Sequence, residues 1–442
     1  MTDAALDILE QQLRASAQAR FFTTDIDGVC RGKSHSGDKM ADLMRHGGTI
    51  ASAAFGWDVA DDLYTHTVSF AGLHTDLGEI GLRLDAATAR QLPWDDQRWM
   101  LIGEHVQADG SPLPMCPRQV LKSVLAQATD LGLDGQVGVE LEWNVFRESE
   151  RSVREKHYLD LVPATESITN YSPFRLDAVR DFVNDLFRWL PEAGVPLETL
   201  HTEAGPGNLE VALSHGPTLA MADRAVIFKQ AVREIGRRHG LLSTFMAKWS
   251  SQLAGCGLHL HQSLWQNGRN VFHDPAQPHG VSEMLRQYIA GQLLALPHLF
   301  AVYAPFINSY KRLVDGMLAP VQATWGIDSR HVALRVVPGS SRSQRLETRV
   351  PGADANPYLS LAAAMSSGLY GIRHQLSLDD VVQPSLPSSL QQATDQMAAS
   401  PLARELLGEG FVQHFVETRR WEVHRFQQAV TDWERARYME LV

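Results

Sequence analysis

The chain has 442 residues and is 44% apolar, enough for one large domain and a smaller one. Its 40 lysines and arginines are outnumbered by 51 aspartates and glutamates, a net charge of −11 without a basic tail, which argues against nucleic-acid and membrane-surface partners. Cys30, Cys116 and Cys256 form no CxxC pair, no run reaches the ~18 apolar residues of a membrane helix, and Asp3, Asp7 and Glu10 leave no leader-like apolar start, so a reducing cytoplasm is the expectation.

Helical and strand periods alternate, which predicts a mixed α and β protein. Residues 19–25 read as a strand and Asp27-Gly28 as a turn. The Gly- and Pro-containing stretch 108–114 is the expected domain boundary, separating 1–110 from 111–442. A helix follows, with Pro117 in its first turn and Leu121, Val124, Leu125 and Ala128 on one stripe. Further helices are predicted from Pro217 to before Gly240, ending on Arg237 and Arg238, and from Asn356-Pro357 through Met365. The polar stretch 376–400 reads as a surface loop with one short helix, and the tail from Gly410 to the end as helical.

Four short segments carry chemistry on one face. Side chains alternate along a strand, so Glu140 and Glu142 share a face opposite Val139, Leu141 and Trp143. Glu210 likewise opposes Leu209 and Val211. His259, His261 and Ser263 oppose Leu258 and Leu260. Arg345, Glu347 and Arg349 oppose Leu346 and Val350. Each alone is an ordinary amphipathic strand. Together in one sheet they crowd carboxylates enough to need cations. Oxygen-rich ligands with one imidazole suit Mg²⁺ or Mn²⁺, and neighbouring arginines suit phosphates and carboxylates. That combination points to phosphoryl transfer from a nucleotide. The Gly-rich loop from Glu203 to Asn208 and Gly255-Cys256-Gly257 allow close backbone approach.

Taken in order, these blocks resemble bacterial-type glutamine synthetases and their γ-glutamyl-amine ligase relatives. The match runs from residues 137–143 and 203–210 through Phe245-Met246-Ala247-Lys248 and Gly257 to His261. It continues with residues 308–313, Asn356-Pro357-Tyr358-Leu359 and the arginines at 330, 335, 342, 345 and 349. The resemblance implies an α+β fold: a small β-grasp-like N-terminal domain and a catalytic domain whose curved antiparallel sheet, flanked by helices, forms a metal-lined funnel. It implies a ring homo-oligomer, a dodecamer of two hexamers, with sites between subunits. One metal falls to Glu142, Glu203 and Glu210, and the other to Glu140, His259 and Glu347, with two or three ions per site. Gly255, Arg312, Arg330 and Arg349 fall to L-glutamate; His261, Ser263, Arg335, Arg342 and Arg345 fall to ATP. Arg330 and Arg335 neutralise charge as a γ-glutamyl phosphate forms, and an amine then displaces phosphate.

The chain departs from the ammonia-using pattern. The flap that follows Arg312 holds Leu318 where those enzymes have a glutamate, and Gly56 stands where they have an aspartate, with Trp57 and Asp58 beside it. Ala254 and Asn208 replace asparagine and glutamine, and no adenylylation loop is evident between 374 and 400. Loss of two carboxylates removes the site for a small cation and opens apolar room, so a primary amine is the expected acceptor. Asp58, Asp61 and Asp62 leave a polycationic amine open, and Trp57 with Met317 an apolar one. The competing readings are an authentic glutamine synthetase, a guanidino-kinase type of phosphotransferase, and a non-catalytic ring or sensor; the intact metal ligands argue against the last.

Overall fold

Two β-sheets carry the fold, in a computed structural model that describes residues 1–166, 168–314 and 316–442. The first sheet has five strands in the order β2-β1-β5-β4-β3: β1 Ala19–Thr24, β2 Cys30–His35, β3 Gly48–Ala51, β4 Glu79–Leu92 and β5 Arg98–Val106. β1 and β2 form a hairpin and β1 runs parallel to β5. The hairpin turn is made by Asp25, whose Oδ1 accepts from the amides of Asp27 and Val29 at 3.0 and 2.9 Å, with Gly28 at φ +82°.

The second sheet comprises β6 Asp134–Phe146, β7 Leu197–Thr202, β8 Asn208–Pro217, β9 Leu242–Thr244, β10 Leu258–Gln266, β11 Arg269–Asn270, β12 Trp325–Ile327, β13 Leu334–Val337 and β14 Arg345–Thr348. Its main path is β12-β13-β14-β10-β6-β8-β7, antiparallel except for β12 with β13. Val137, Val139, Leu141, Trp143 and Val145 of β6 are all buried under the helices Thr218–Arg238, Glu283–Tyr303 and Pro357–Arg373. The last two helices cross closely: a Cβ on Gly291 would sit 2.1 Å from the Ser367 carbonyl, so only glycine fits.

Buried polar ties join the sheets. Arg118 ion-pairs with Glu104 of β5 and, at 2.9 Å each, with Asp85 of β4 and Asp223 of the second unit; Tyr358 Oη donates to Asp223 at 2.6 Å. Asn356 caps its helix by accepting from the Tyr358 amide and donates to the Asp25 carbonyl, both at 3.0 Å. Arg419, on the helix Glu409–Gln428, pairs with Asp27.

Three local expectations are refined. The tail is two helices, Glu409–Gln428 and Asp432–Tyr438, because Ala429 turns extended and Thr431 starts a new capping box with Glu434. Within 376–400 the helix is Leu390–Ala398. β14 stops at Thr348 because the carbonyls of Arg349 and Val350 are taken by Arg312. Among the described residues, no helix is long and apolar enough to cross a membrane.

Candidate active site

The polar faces of β6, β8, β10 and β14 meet in one funnel because the strand register aligns them. Glu140 lies opposite His259, Glu142 opposite Glu210, and His261 opposite Glu347. Arg335 of β13 faces Glu347, and His201 of β7 faces Glu210. His259 Nδ1 is 3.3 Å from Glu140 and 3.7 Å from Glu347, and its Nε2 is 3.8 Å from Glu142. Among the described residues, three sets of potential ligand atoms lie within 4.8 Å of one another: Glu140 with Glu210 and His259, His201 with Glu203 and Glu210, and Glu140 with His261 and Glu347.

Charge is balanced on one side of the funnel and unbalanced on the other. Glu347 is paired with Arg349 and, at 3.1 Å, with Arg335. Burial opposes its ionisation, but His259, His261 and Arg349 hold it below the usual carboxylate range. Glu140 is held low in the same way, burial being outweighed by the hydrogen bond with His259 and the proximity of His261. Glu210 is pushed up to about 10, by burial and then by Glu142, Glu140 and Glu203. Glu142 has a hydrogen bond from the Gly257 amide at 2.9 Å, and Glu203 one from the Ala204 amide at 2.6 Å. The Glu142, Glu203 and Glu210 side is therefore the one whose chemistry most demands a divalent cation.

The histidines divide in role. Arg345 Nε donates to His261 Nδ1 at 3.1 Å, and arginine never accepts. A neutral His261 therefore carries its proton on Nε2, which is a donor and not a metal ligand. This Nε2 is buried, 3.0 Å from Glu140 Oε1 but without hydrogen-bond alignment, so it is free to donate to a phosphate oxygen. It opens with Glu140, Ser263, Arg342 and Arg345 onto a cavity of about 930 Å³, of the size that takes a nucleotide.

Of the residues expected to hold glutamate, Gly255, Arg312 and Arg349 lie together. A Cβ on Gly255 would meet the Ala247 carbonyl at 2.5 Å and Arg312 Cγ at 2.7 Å, which requires glycine. Arg312 is buried and donates to the carbonyls of Val350 and Arg349 at 3.0 and 3.2 Å, so it supports the site from behind. Arg349 keeps a buried Nε without a partner, a donor left for a carboxylate. Arg330 is exposed, and its charge reaches Asp328 and Tyr171.

Leu318 is half exposed at φ +55°, whereas Asp315 of the same flap lies outside the described residues. Gly56, Trp57 and Asp58 belong to a loop whose bonds run to the helix Glu409–Gln428. Asp58 accepts from Trp421 Nε1 at 2.9 Å and from the amides of Ala60 and Asp62, and Arg31 covers the Trp57 ring at 4.8 Å. Two residues escaped the sequence reading. His201 comes to Glu210 through the β7–β8 register, 3.9 Å away. Tyr171 lies on His201 with ring centroids 4.6 Å apart. Neither has a local signature.

Residues 114–438 match the family model described as glutamine synthetase, catalytic domain. The chain is similar to type-1 glutamine synthetase 2 of Dictyostelium discoideum, at 39% identity over 99% of this chain and 87% of that one. It is similar to a glutamate–isopropylamine ligase of a Pseudomonas species, at 32% identity over 96% and 95% of the two chains. Among solved structures, a GmaS/ADP complex superposes with a TM-score of 0.84 at 27% identity, covering 99% of this chain and 100% of the other.

Proposed function

This chain belongs to the glutamine synthetase family, and from that membership we propose an ATP-dependent ligase that joins the γ-carboxylate of L-glutamate to a primary amine through a γ-glutamyl phosphate. The observation that carries this reading is the convergence of Glu140, Glu203, Glu210, His259 and Glu347, with Glu142 opposite Glu210 and 3.8 Å from His259, beside an arginine-lined cavity. The donor set fits Mg²⁺ or Mn²⁺, with Glu142, Glu203 and Glu210 holding one ion and Glu140, His259 and Glu347 another. Bound ions of this kind supply Lewis-acid neutralisation of phosphate oxygens.

The chain's own groups do the rest. Arg342, Arg345 and the Nε2–H of His261 hold the phosphates. Arg349, backed by Arg312, and the backbone at Gly255 orient glutamate. Arg330 and Arg335 face the charge that grows as the phosphoryl group passes to the γ-carboxylate. Water must then be excluded until an amine arrives. The related isopropylamine ligase and the ADP-bound GmaS structure support amine and nucleotide use, as does Leu318 in place of a flap carboxylate. We read residues 1–110 and 111–442 as the two domains, and a double hexameric ring as the assembly.

A panel of ammonium and alkyl, aryl and hydroxyalkyl amines, with glutamate, ATP and Mg²⁺ or Mn²⁺, tests this. The expected products are ADP, phosphate and a γ-glutamyl amide of the corresponding mass. Identity to a protein named glutamine synthetase favours ammonia as a second reading. Turnover with ammonium above that with every amine would establish that reading instead.

A further inference from the structure

His201 stands in the funnel without a part in either ion assignment. The pairing of β6 with β8 and of β8 with β7 puts Glu142, Glu210 and His201 side by side in one row. Glu203 follows His201 by two positions, just past the end of β7. His201 Nε2 is 3.9 Å from Glu210 Oε2, too far for a hydrogen bond. It is a fitting separation for two ligands of one ion. Atoms about 2.1 Å from a six-coordinate cation stand about 3.0 Å apart when adjacent and about 4.2 Å apart when opposite. Ligand atoms of His201, Glu203 and Glu210 all lie within 4.8 Å of one another, so side-chain rotation alone closes the set.

The ring is also held as a metal ligand must be. Its Nδ1 lies 3.2 Å from the Thr202 carbonyl, which can only accept, so in the neutral ring Nδ1 carries the proton and Nε2 is bare. That carbonyl also accepts from the Tyr171 amide, at 2.9 Å. Thr202 Oγ1 accepts from the Ser172 amide at 3.1 Å and donates to the Thr169 carbonyl at 3.0 Å. The loop clasped in this way lays the Tyr171 ring on His201. A backbone carbonyl on the far ring nitrogen is the usual outer support of a metal-bound histidine. His261 is built the other way round, its Nδ1 accepting from Arg345, so the two imidazoles divide between ion and phosphate.

We propose that His201 Nε2 is a direct ligand of the ion held by Glu142, Glu203 and Glu210, and that it makes this site prefer a first-row transition ion, such as Mn²⁺, Co²⁺ or Zn²⁺, over Mg²⁺. This rests on the two-ion reading of the site. Mg²⁺ favours oxygen and gives up its water reluctantly, whereas an imidazole nitrogen raises affinity along the series from Mn²⁺ to Zn²⁺. Without the imidazole the site is three carboxylates, which suit Mg²⁺ as well as Mn²⁺.

The test follows Mn²⁺ binding to the metal-stripped full chain by electron paramagnetic resonance. Loss of the free-ion signal gives affinity, competition by Mg²⁺ gives preference, and spin-echo modulation reports imidazole nitrogen on the bound ion. His201→Ala is expected to weaken Mn²⁺ binding about tenfold or more while changing Mg²⁺ binding less than about threefold. Nitrogen modulation should shrink in His201→Ala and vanish only when His259→Ala is added. His201→Gln, which fills similar space, should melt like the parent in EDTA and lose the same preference. Parent-like Mn²⁺ affinity and modulation in both variants overturns the proposal and leaves the two-ion reading intact. In the unmodified chain, modulation from a single histidine on bound Mn²⁺ overturns it without any variant. Unmodified protein that binds no Mn²⁺ overturns the two-ion reading, and the ligase with it.

Discussion

Glu210 sits among Glu142, Glu140 and Glu203, with His201 Nε2 3.9 Å away, and its carboxyl is pushed up to about 10 by burial and those neighbours. The charge is tolerable when divalent ions share the site. Glu210→Gln is therefore expected to melt a few degrees above the parent in EDTA, to gain less from added Mn²⁺, and to lose about 100-fold or more in turnover. Thermal melts with and without metal, beside a steady-state assay, check this; a variant that melts below the parent in EDTA would contradict it. Arg345 reads out differently. On the proposed assignment of Arg345 to phosphate, Arg345→Met should raise KM for ATP about tenfold or more, through the lost donor and a His261 freed to change tautomer, while KM for glutamate stays near the parent value. Five of the six proposed ligands, Glu140, Glu142, Glu210, His259 and Glu347, could be singled out in the sequence because strand alternation puts each beside an apolar neighbour of opposite facing, whereas Glu203 stands in a loop and was assigned by the resemblance. His201 and Tyr171 were not, because their place depends on the pairing of β7 with β8 and on a loop, both products of the folded sheet.

At the scale of elements, the helix Pro117–Asp130 is pinned by Arg118 to three acids from three different segments. Arg118→Met leaves Asp223 and Asp85 without this cation, while Glu104 keeps Lys122 at 2.9 Å. A loss of about 3–5 kcal/mol in denaturant unfolding is the expected outcome. The helix Glu409–Gln428 carries a second device. His414 and His105 of β5 flank Phe55, and both nitrogens of each ring are buried without partners. Burial, and for His414 also Arg419, pushes them down to about 3 and about 4 respectively. Unfolded rings take protons near 6.5 and folded ones do not, so stability is full above that pH and falls as pH drops, by about 1.4 kcal/mol per unit for each ring. His414→Phe should flatten this acid limb between pH 6.5 and 4 in urea titrations. The helix from Asn356-Pro357 through Met365 could be read from its Asn-Pro start and apolar run, though it continues to Arg373; the restart at Thr431 could not, since it depends on one extended residue before the cap.

At the scale of the molecule, ions and sheets are one stability problem. Stripping divalent ions should lower the melting temperature, and Mg²⁺ or Mn²⁺ should restore it in proportion to the logarithm of concentration, as calorimetry would record. The Gly- and Pro-containing break at 108–114, read from the sequence as a domain boundary, falls between β5 and the helix Pro117–Asp130. What joins the sheets was invisible there. The partners of Asp27, Asp58 and Asp62 lie more than 360 positions away, and nothing in the local sequence announces them.

The pairing of Asp27 with Arg419 has a consequence for synthesis. A ribosome delivers the chain from its first residue, so the hairpin that holds Asp27 emerges long before the guanidinium that neutralises it. Until residue 419 has emerged, that carboxylate lacks its ion-pair partner, and burying it alone is costly. A nascent chain stalled before position 419 is expected to keep this seam open, which limited proteolysis would detect as cleavage near Asp27 that the full chain resists.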